Sequence, residues 1–182
     1  MRIDSDDVSV PNRLDEIHSF VEKRPEVALF GSHIQEFDEF MNVPGKFRKV
    51  PTGNYNIKKL GQWRNPFNGP SVTFKRDVAI KIGGYPQIAS NEDYCFWALF
   101  MKLGYEVDNI DSILVRMRAG KEIIKRRRGP RYAKGEISSI KFLYAIGWIG
   151  LLSFVLIVTI RRLIRLLPKP ILGVIYNKFL RV

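Results

Sequence analysis

Three carboxylates in four positions, Asp4, Asp6 and Asp7, stand directly behind Met1, Arg2 and Ile3. Crowded carboxylates repel one another and persist together where water, a helix N-terminus or a metal ion takes up the charge. Two chemistries fit the spacing. Asp4 and Asp6, one residue apart on an extended segment, would point the same way and could hold a divalent cation. Alternatively, Ser9 caps a helix, Pro11 occupies its first turn and Leu14, Ile17, Phe20 and Val21 line one face, with Asp6 and Asp7 near the positive helix end. A second acidic pair, Glu92 and Asp93, follows Asn91, a predicted N-cap. Both carboxylates then fall in the first turn of the helix EDYCFWALFMKLG, where the dipole favours the ionised form. Trp97 is one turn beyond Asp93, so an aromatic plane and a carboxylate share a face. That pairing suits a sugar, whose ring has an apolar side and whose hydroxyl needs a base to become a nucleophile.

The elements that must position these groups alternate between strand and helix. Pro25 ends the first helix, and VALFGSHIQEF (27–37) reads as one or two strands with a bend or bulge at Gly31. From Met41 to Arg64 the richness in Gly, Pro, Asn and Lys predicts a long loop holding a short helix around Ile57 to Trp63. SVTFK (71–75) alternates as a strand, RDVAIKI (76–82) reads as a short helix, and Gly83 with Gly84 ends it. Gly104 stops the EDYCFW helix, and VDNIDSILVRMR (107–118) predicts a final strand.

A chain of 182 residues has room for one domain with a real core, and 46% apolar residues exclude disorder. The net charge of +12 is unevenly placed. Up to Asp111 there are 14 Lys and Arg against 16 Asp and Glu; beyond it the ratio is 16 to 2. The basic part adjoins FLYAIGWIGLLSFVLIVTI (142–160), 19 residues without a charge, which is long enough to cross a bilayer. Basic residues flank that run on both sides, against the positive-inside tendency for a single crossing. A re-entrant or in-plane membrane helix broken near Gly147 and Gly150, resting on an anionic membrane surface, is therefore expected, the alternative being a buried hydrophobic hairpin in a soluble oligomer. Nucleic acid is not an expected partner, because Tyr132 is alone among the bases of KRRRGPRYAK. Acid rather than an apolar stretch follows Met1, which does not read as a signal peptide. Cys95 reads as a core residue in a reducing compartment, and the isolated His18 and His33 offer no histidine-based metal site or triad.

In order along the chain, DSDD (4–7) with PNRL, NPFNGPSVTFK (65–75), GGY (83–85), EDYCFW (92–97) and RRRGPRY resemble the family-2 inverting glycosyltransferases of bacterial capsule, exopolysaccharide and lipopolysaccharide O-antigen synthesis. The resemblance implies an α/β fold of the A-type glycosyltransferase kind, a Rossmann-like mixed sheet with flanking helices. It also implies a nucleotide-diphosphate sugar donor, Mn2+ or Mg2+, and a lipid-linked saccharide acceptor at the cytoplasmic face of the bacterial inner membrane. Carried over by position, Asp6 would contact the metal and Asp4 the ribose or sugar of the donor. Asp93 would be the general base, supported by Glu92, and Trp97 would meet the acceptor. Gly83, Gly84, Asn65 and Asn68 would line the donor pocket, although Asn and Gly beside Pro66 and Pro70 also build turns. The expected organisation is a partial catalytic domain over 1–118, a basic juxtamembrane segment over 119–141 and an apolar membrane-associated helical tail over 142–182. Relatives often carry a histidine where this chain has Gly69. In the family the DSD motif lies mid-domain, after a nucleotide-binding half, so the resemblance reaches only a C-terminal portion. Weak or absent transfer by the isolated chain is expected, with activity depending on a polypeptide that carries the other half. The competing expectation is a non-catalytic membrane-associated remnant or scaffolding subunit.

Overall fold

The computed structural model describes residues 1–119 and 130–166. In chain order its elements are β1 (Val8–Ser9), α1 (Arg13–Lys23), β2 (Val27–Phe37), β3 (Pro44–Arg48), α2 (Asn54–Gly61), β4 (Thr73–Phe74), α3 (Arg76–Lys81), α4 (Glu92–Lys102), β5 (Glu106–Arg118), α5 (Pro130–Ala145) and α6 (Leu151–Leu166), with a 3-10 turn at Gly69–Ser71 before β4. The strands form one mixed sheet in the order β1-β5-β2-β3, and β4 also pairs with β2. This is the α/β architecture of a mixed sheet with flanking helices.

β2 is central, and nearly every one of its residues is buried. A strand covered on both faces needs apolar residues throughout rather than in alternation. It runs parallel to β5 along its whole length, from Val27 opposite Glu106 to Phe37 opposite Arg118. Its other edge is shared by β4, antiparallel at Leu29 and Phe30, and β3, antiparallel at Ile34 and Gln35. Gly31 marks no break into two strands; it marks a close approach. A Cβ there would lie 2.7 Å from Oδ1 of Asn109 on β5, and the register shifts just beyond, around Ser32 and His33.

Leu29 and Phe30 point to opposite sides of the sheet and found two cores. Phe30, Val27, Ile110 and Leu114 pack under Ile17 and Phe20 of α1. Leu29, Val72 and Val107 pack under α4, whose Cys95, Phe96, Trp97, Ala98, Phe100 and Met101 are all buried. α1 differs from expectation. Asn12, not Ser9, precedes it, and Leu14 and Val21 are exposed while Arg13 is buried. The expected loop over 41–64 contains β3 as well as α2, and α2 starts at Asn54.

α5 and α6 form an antiparallel hairpin laid over the outer side of α4. Leu143, Ile149 and Ile157 join the α4 core, Tyr144 lies 5.0 Å from Phe154 between ring centroids, and Arg161 pairs with Glu136. The apolar run 142–160 is thus cut in two by the turn at 146–150, where Gly147 has φ 66°. Among the described residues no helix is long and apolar enough to cross a membrane. The basic run 125–131 lies largely outside the described residues.

Candidate active site

The two acidic spots of the sequence meet through Arg2. Its guanidinium pairs with Asp93 and donates to Asp4 at 3.2 Å. The sheet edge and α4 bring these groups together: the Arg2 amide donates to the carbonyl of Val72 at 2.8 Å, and Asp93 is in the first turn of α4. Asn91 does begin α4, but through a left-handed backbone conformation (φ 56°, ψ 28°) rather than a side-chain cap. Beside the ion pair is a cavity of about 420 Å3 lined by Arg2, Tyr85, Gln87, Glu92 and Asp93, with Pro86 and Ile88.

Burial pushes the Asp93 carboxyl above the ordinary carboxylate range, and Arg2 offsets only part of that rise. Burial works against the Arg2 charge as well, but Asp93 and Asp4 outweigh it and hold the guanidinium above its usual pKa. Burial also raises the Tyr85 phenol. A carboxyl partly withdrawn from water and kept more basic than usual is suited to accepting a proton. Gly69 explains how Asp93 fits: a Cβ at that position would stand 3.0 Å from Asp93 Oδ2. Any side chain at 69 would press on the carboxylate.

The Asp4 to Asp7 cluster is divided among three environments. Asp4 faces Arg2, and Asp6 is exposed. Asp7 accepts the Arg118 amide at 3.0 Å, and burial, with Asp6 and Asp4 adding to it, pushes it up to about 6. Neither Asp6 nor Asp7 caps α1. Among the described residues no three metal-ligating side chains cluster. The segment is not extended as expected: Ser5 and Asp6 form a turn in which the Asp7 amide donates to the Asp4 carbonyl at 3.1 Å, so Asp4 and Asp6 would offer a divalent cation at most two carboxylates, a set suited to Mg2+ or Mn2+ shared with substrate phosphates rather than to an all-protein cage.

Trp97 corrects an expectation. It is 0% exposed, with its ring among Phe67, Phe74 and Phe96, because α4 is apolar on all sides beyond its first turn. The aromatic residue lining the cavity is Tyr85, whose ring centroid is 4.3 Å from that of Phe96 with the planes tilted by 38°. Asn68 is likewise buried, and its amide donates to the carbonyls of Ser32 and Arg48, tying β2 to β3. Asn65 accepts the Phe67 amide and shapes a turn. Gly83 and Gly84 have φ 88° and 72° in open space and close α3 immediately before Tyr85.

Sequence reasoning missed Arg2 and Arg13. Arg13 is 1% exposed and donates to Ser9 Oγ at 3.0 Å, to the Arg2 carbonyl at 2.6 Å and to the Pro70 carbonyl at 3.1 Å. It fastens the segment carrying Arg2 and Asp4 to the turn carrying Gly69. Arg2 had a signal, a lone cation next to the acid cluster; Arg13 looked like an ordinary surface residue at a helix start.

Comparison with known proteins fits this arrangement. No protein-family model matches the chain. Over 180 residues it is 38% identical to an uncharacterized glycosyltransferase of Haemophilus influenzae, covering 99% of this chain and 67% of that protein. The chain belongs to the glycosyltransferases. This glycosyltransferase chain is also 33% identical over 177 residues to the amylovoran biosynthesis glycosyltransferase AmsE of Erwinia amylovora, covering 97% of this chain and 66% of that protein. A third relative, 37% identical over 181 residues (100% and 66% covered), is the UDP-Gal:alpha-D-GlcNAc-diphosphoundecaprenol beta-1,3-galactosyltransferase of Escherichia coli. The chain spans about two thirds of the length of these curated relatives.

Proposed function

We propose that this chain carries the acceptor-side and metal-side part of a family-2 enzyme that moves a sugar from a nucleoside-diphosphate donor to a lipid-linked saccharide, with inversion, in bacterial surface polysaccharide synthesis. The observation that carries this reading is the half-buried Asp93 carboxylate, raised in pKa and facing a cavity at the N-terminus of α4. The Escherichia coli relative, named for a diphosphoundecaprenol-linked acceptor, supports the acceptor class, and the Erwinia relative supports the polysaccharide context.

Inverting transfer needs a base that takes the acceptor proton as its oxygen attacks the sugar carbon, and a positive charge near the leaving diphosphate. Asp93 is the base, and Glu92, next to it on the cavity wall, adds to the negative field that stabilises the protonated form. Arg2 holds one oxygen of Asp93 and leaves the other beside Gly69. Tyr85 offers the ring on which the acceptor sugar lies. Asp4, on the same guanidinium, would meet the donor sugar or ribose, the open backbone at Gly83 and Gly84 would border the donor, and Asp6 would hold Mn2+ or Mg2+, whose charge would offset that of the departing diphosphate. The workplace is the cytoplasmic face of the inner membrane, where such an acceptor is presented.

The test is transfer of a labelled sugar from nucleoside-diphosphate donors to a synthetic diphospholipid-linked acceptor, with a nucleotide-binding half supplied as a second polypeptide in every transfer assay. Asp93→Asn is expected to lower the rate by about 10²- to 10⁴-fold without loss of fold by circular dichroism. Undiminished transfer by that variant removes Asp93 as the base.

A further inference from the structure

The proposed site leaves the outer surface of the α5–α6 hairpin without a role. Along α6, Ile157, with Phe154 and Val158 beside it, packs on the α4 core. On the other side Leu151, Leu152, Val155, Leu156, Ile160 and Leu163 are exposed, Leu152 at 75%. At 100° per residue these six span about half of the helix circumference, an arc that also carries the exposed Thr159 and Arg162, so they form one predominantly apolar face. Exposed apolar patches of this kind mark interaction sites.

The charges around the stripe select its partner. Arg162 is exposed on α6, and Lys134 and Lys141 are exposed on the neighbouring α5. The only carboxylate of the hairpin, Glu136, is buried and paired with Arg161. A second copy of the chain would bring the same cations face to face in a molecule whose net charge is already +12. An anionic surface with an apolar interior satisfies both features.

We infer that the outward face of α6 docks on an anionic lipid bilayer with the helix lying in the membrane plane. The sixteen described residues of α6 reach only about 24 Å, short of a hydrocarbon core of about 30 Å, and their inner half is committed to the protein core. Insertion therefore stops at the outer stripe, while the basic side chains meet lipid phosphates. The surface is narrower than the apolar run suggests, because residues 143 and 149 are buried against α4. This inference deepens the membrane placement proposed above, and its test uses neither donor nor acceptor, so failure to dock and failure to transfer are read separately.

Flotation of the full chain with phosphatidylglycerol-containing vesicles and with neutral phosphatidylcholine vesicles tests it. The wild-type chain is expected to float with the anionic vesicles and about tenfold less with the neutral ones. The double variant Leu152→Ser/Leu156→Ser is expected to lose about tenfold or more of that binding with an unchanged melting temperature. Lys134→Gln/Lys141→Gln/Arg162→Gln, all exposed side chains, is expected to fall to the neutral-vesicle level. Wild-type chain that stays at the bottom, a serine variant that floats like wild type, or a glutamine variant that keeps its anionic preference overturns the inference. So does sedimentation without lipid showing a wild-type dimer that the serine substitutions convert to monomer.

Discussion

α4 and α6 are similarly apolar helices with opposite surroundings. α4 is enclosed: the sheet covers one side through Leu29, Val72 and Val107, and the α5–α6 hairpin covers another through Leu143 and Ile157. α6 is enclosed on one side only, and the other carries six exposed apolar residues. The difference teaches where each helix can carry function. An enclosed helix cannot offer its body to a ligand, so its chemistry sits at its end, where Glu92 and Asp93 line a cavity. A half-enclosed helix offers a surface and no pocket. Substitutions can break this contrast, and the largest stability effect belongs to the enclosed body. Trp97→Ala should cost about 3–5 kcal/mol in denaturant unfolding. Trp97→Phe should cost far less, since the indole Nε1 has no hydrogen-bond partner among the described residues and its removal strands nothing. A loss below about 1 kcal/mol for the alanine variant would mean that α4 is not enclosed as described.

Next in size is the fastening of the α4 terminus to the sheet edge. Arg13→Met keeps much of the side-chain volume but leaves Ser9 Oγ and the carbonyls of Arg2 and Pro70 without their donor. A cost of about 2–3 kcal/mol is expected. Transfer should fall further than the stability loss explains, because Arg2 and Gly69, on the two tied segments, both border Asp93. Arg13→Met with wild-type kinetics would reduce Arg13 to a purely structural arginine.

The pH profile sharpens the role of the α4 terminus. Asp93 is raised in the folded chain, so its protonated form is favoured and its ionisation costs stability as pH rises through that value. A base with this property loses activity as pH falls, and earlier than an ordinary carboxylate would. Arg2 is the group that lowers the Asp93 pKa, so Arg2→Gln should move the acid limb of the rate profile to higher pH. A limb that stays in place or moves to lower pH would show that Asp93 is not the group titrating.

Much of this contrast was legible in the residues, and the exceptions have physical reasons. β2 and β5 showed as long apolar strands, and α4 showed its start at Asn91 and its stop at Gly104, because propensity and punctuation act locally. β3 was hidden, since PGKFR (44–48) has no alternation and is exposed; it is a strand only because β2 presents an edge to it. Trp97 was misplaced because helical spacing puts it below Asp93 but says nothing of what packs around α4. Arg13 escaped notice for a similar reason: besides Ser9, four residues before it, its burial is made tolerable by the carbonyls of Arg2 and Pro70, and the latter, 57 residues away, does not follow from its neighbours in sequence. Asp4, Asp6 and Asp7 were identified as a group, but their division between Arg2, solvent and the end of β5 is tertiary.

The smallest expected effect tests the open side of the contrast. Val155 is 49% exposed in the middle of the α6 stripe, so Val155→Ser removes few packing contacts. A surface substitution of this kind should change unfolding free energy by no more than about 0.5 kcal/mol. Serine and valine also differ little in helix propensity, which leaves burial as the main variable. A loss above about 1.5 kcal/mol would mean that the stripe is covered in solution by protein, and α6 would then be as enclosed as α4. Near-zero loss, combined with weaker flotation on anionic vesicles, separates the two helices as intended: residues of α4 are kept by folding, whereas the outer residues of α6 are kept by what the folded protein touches.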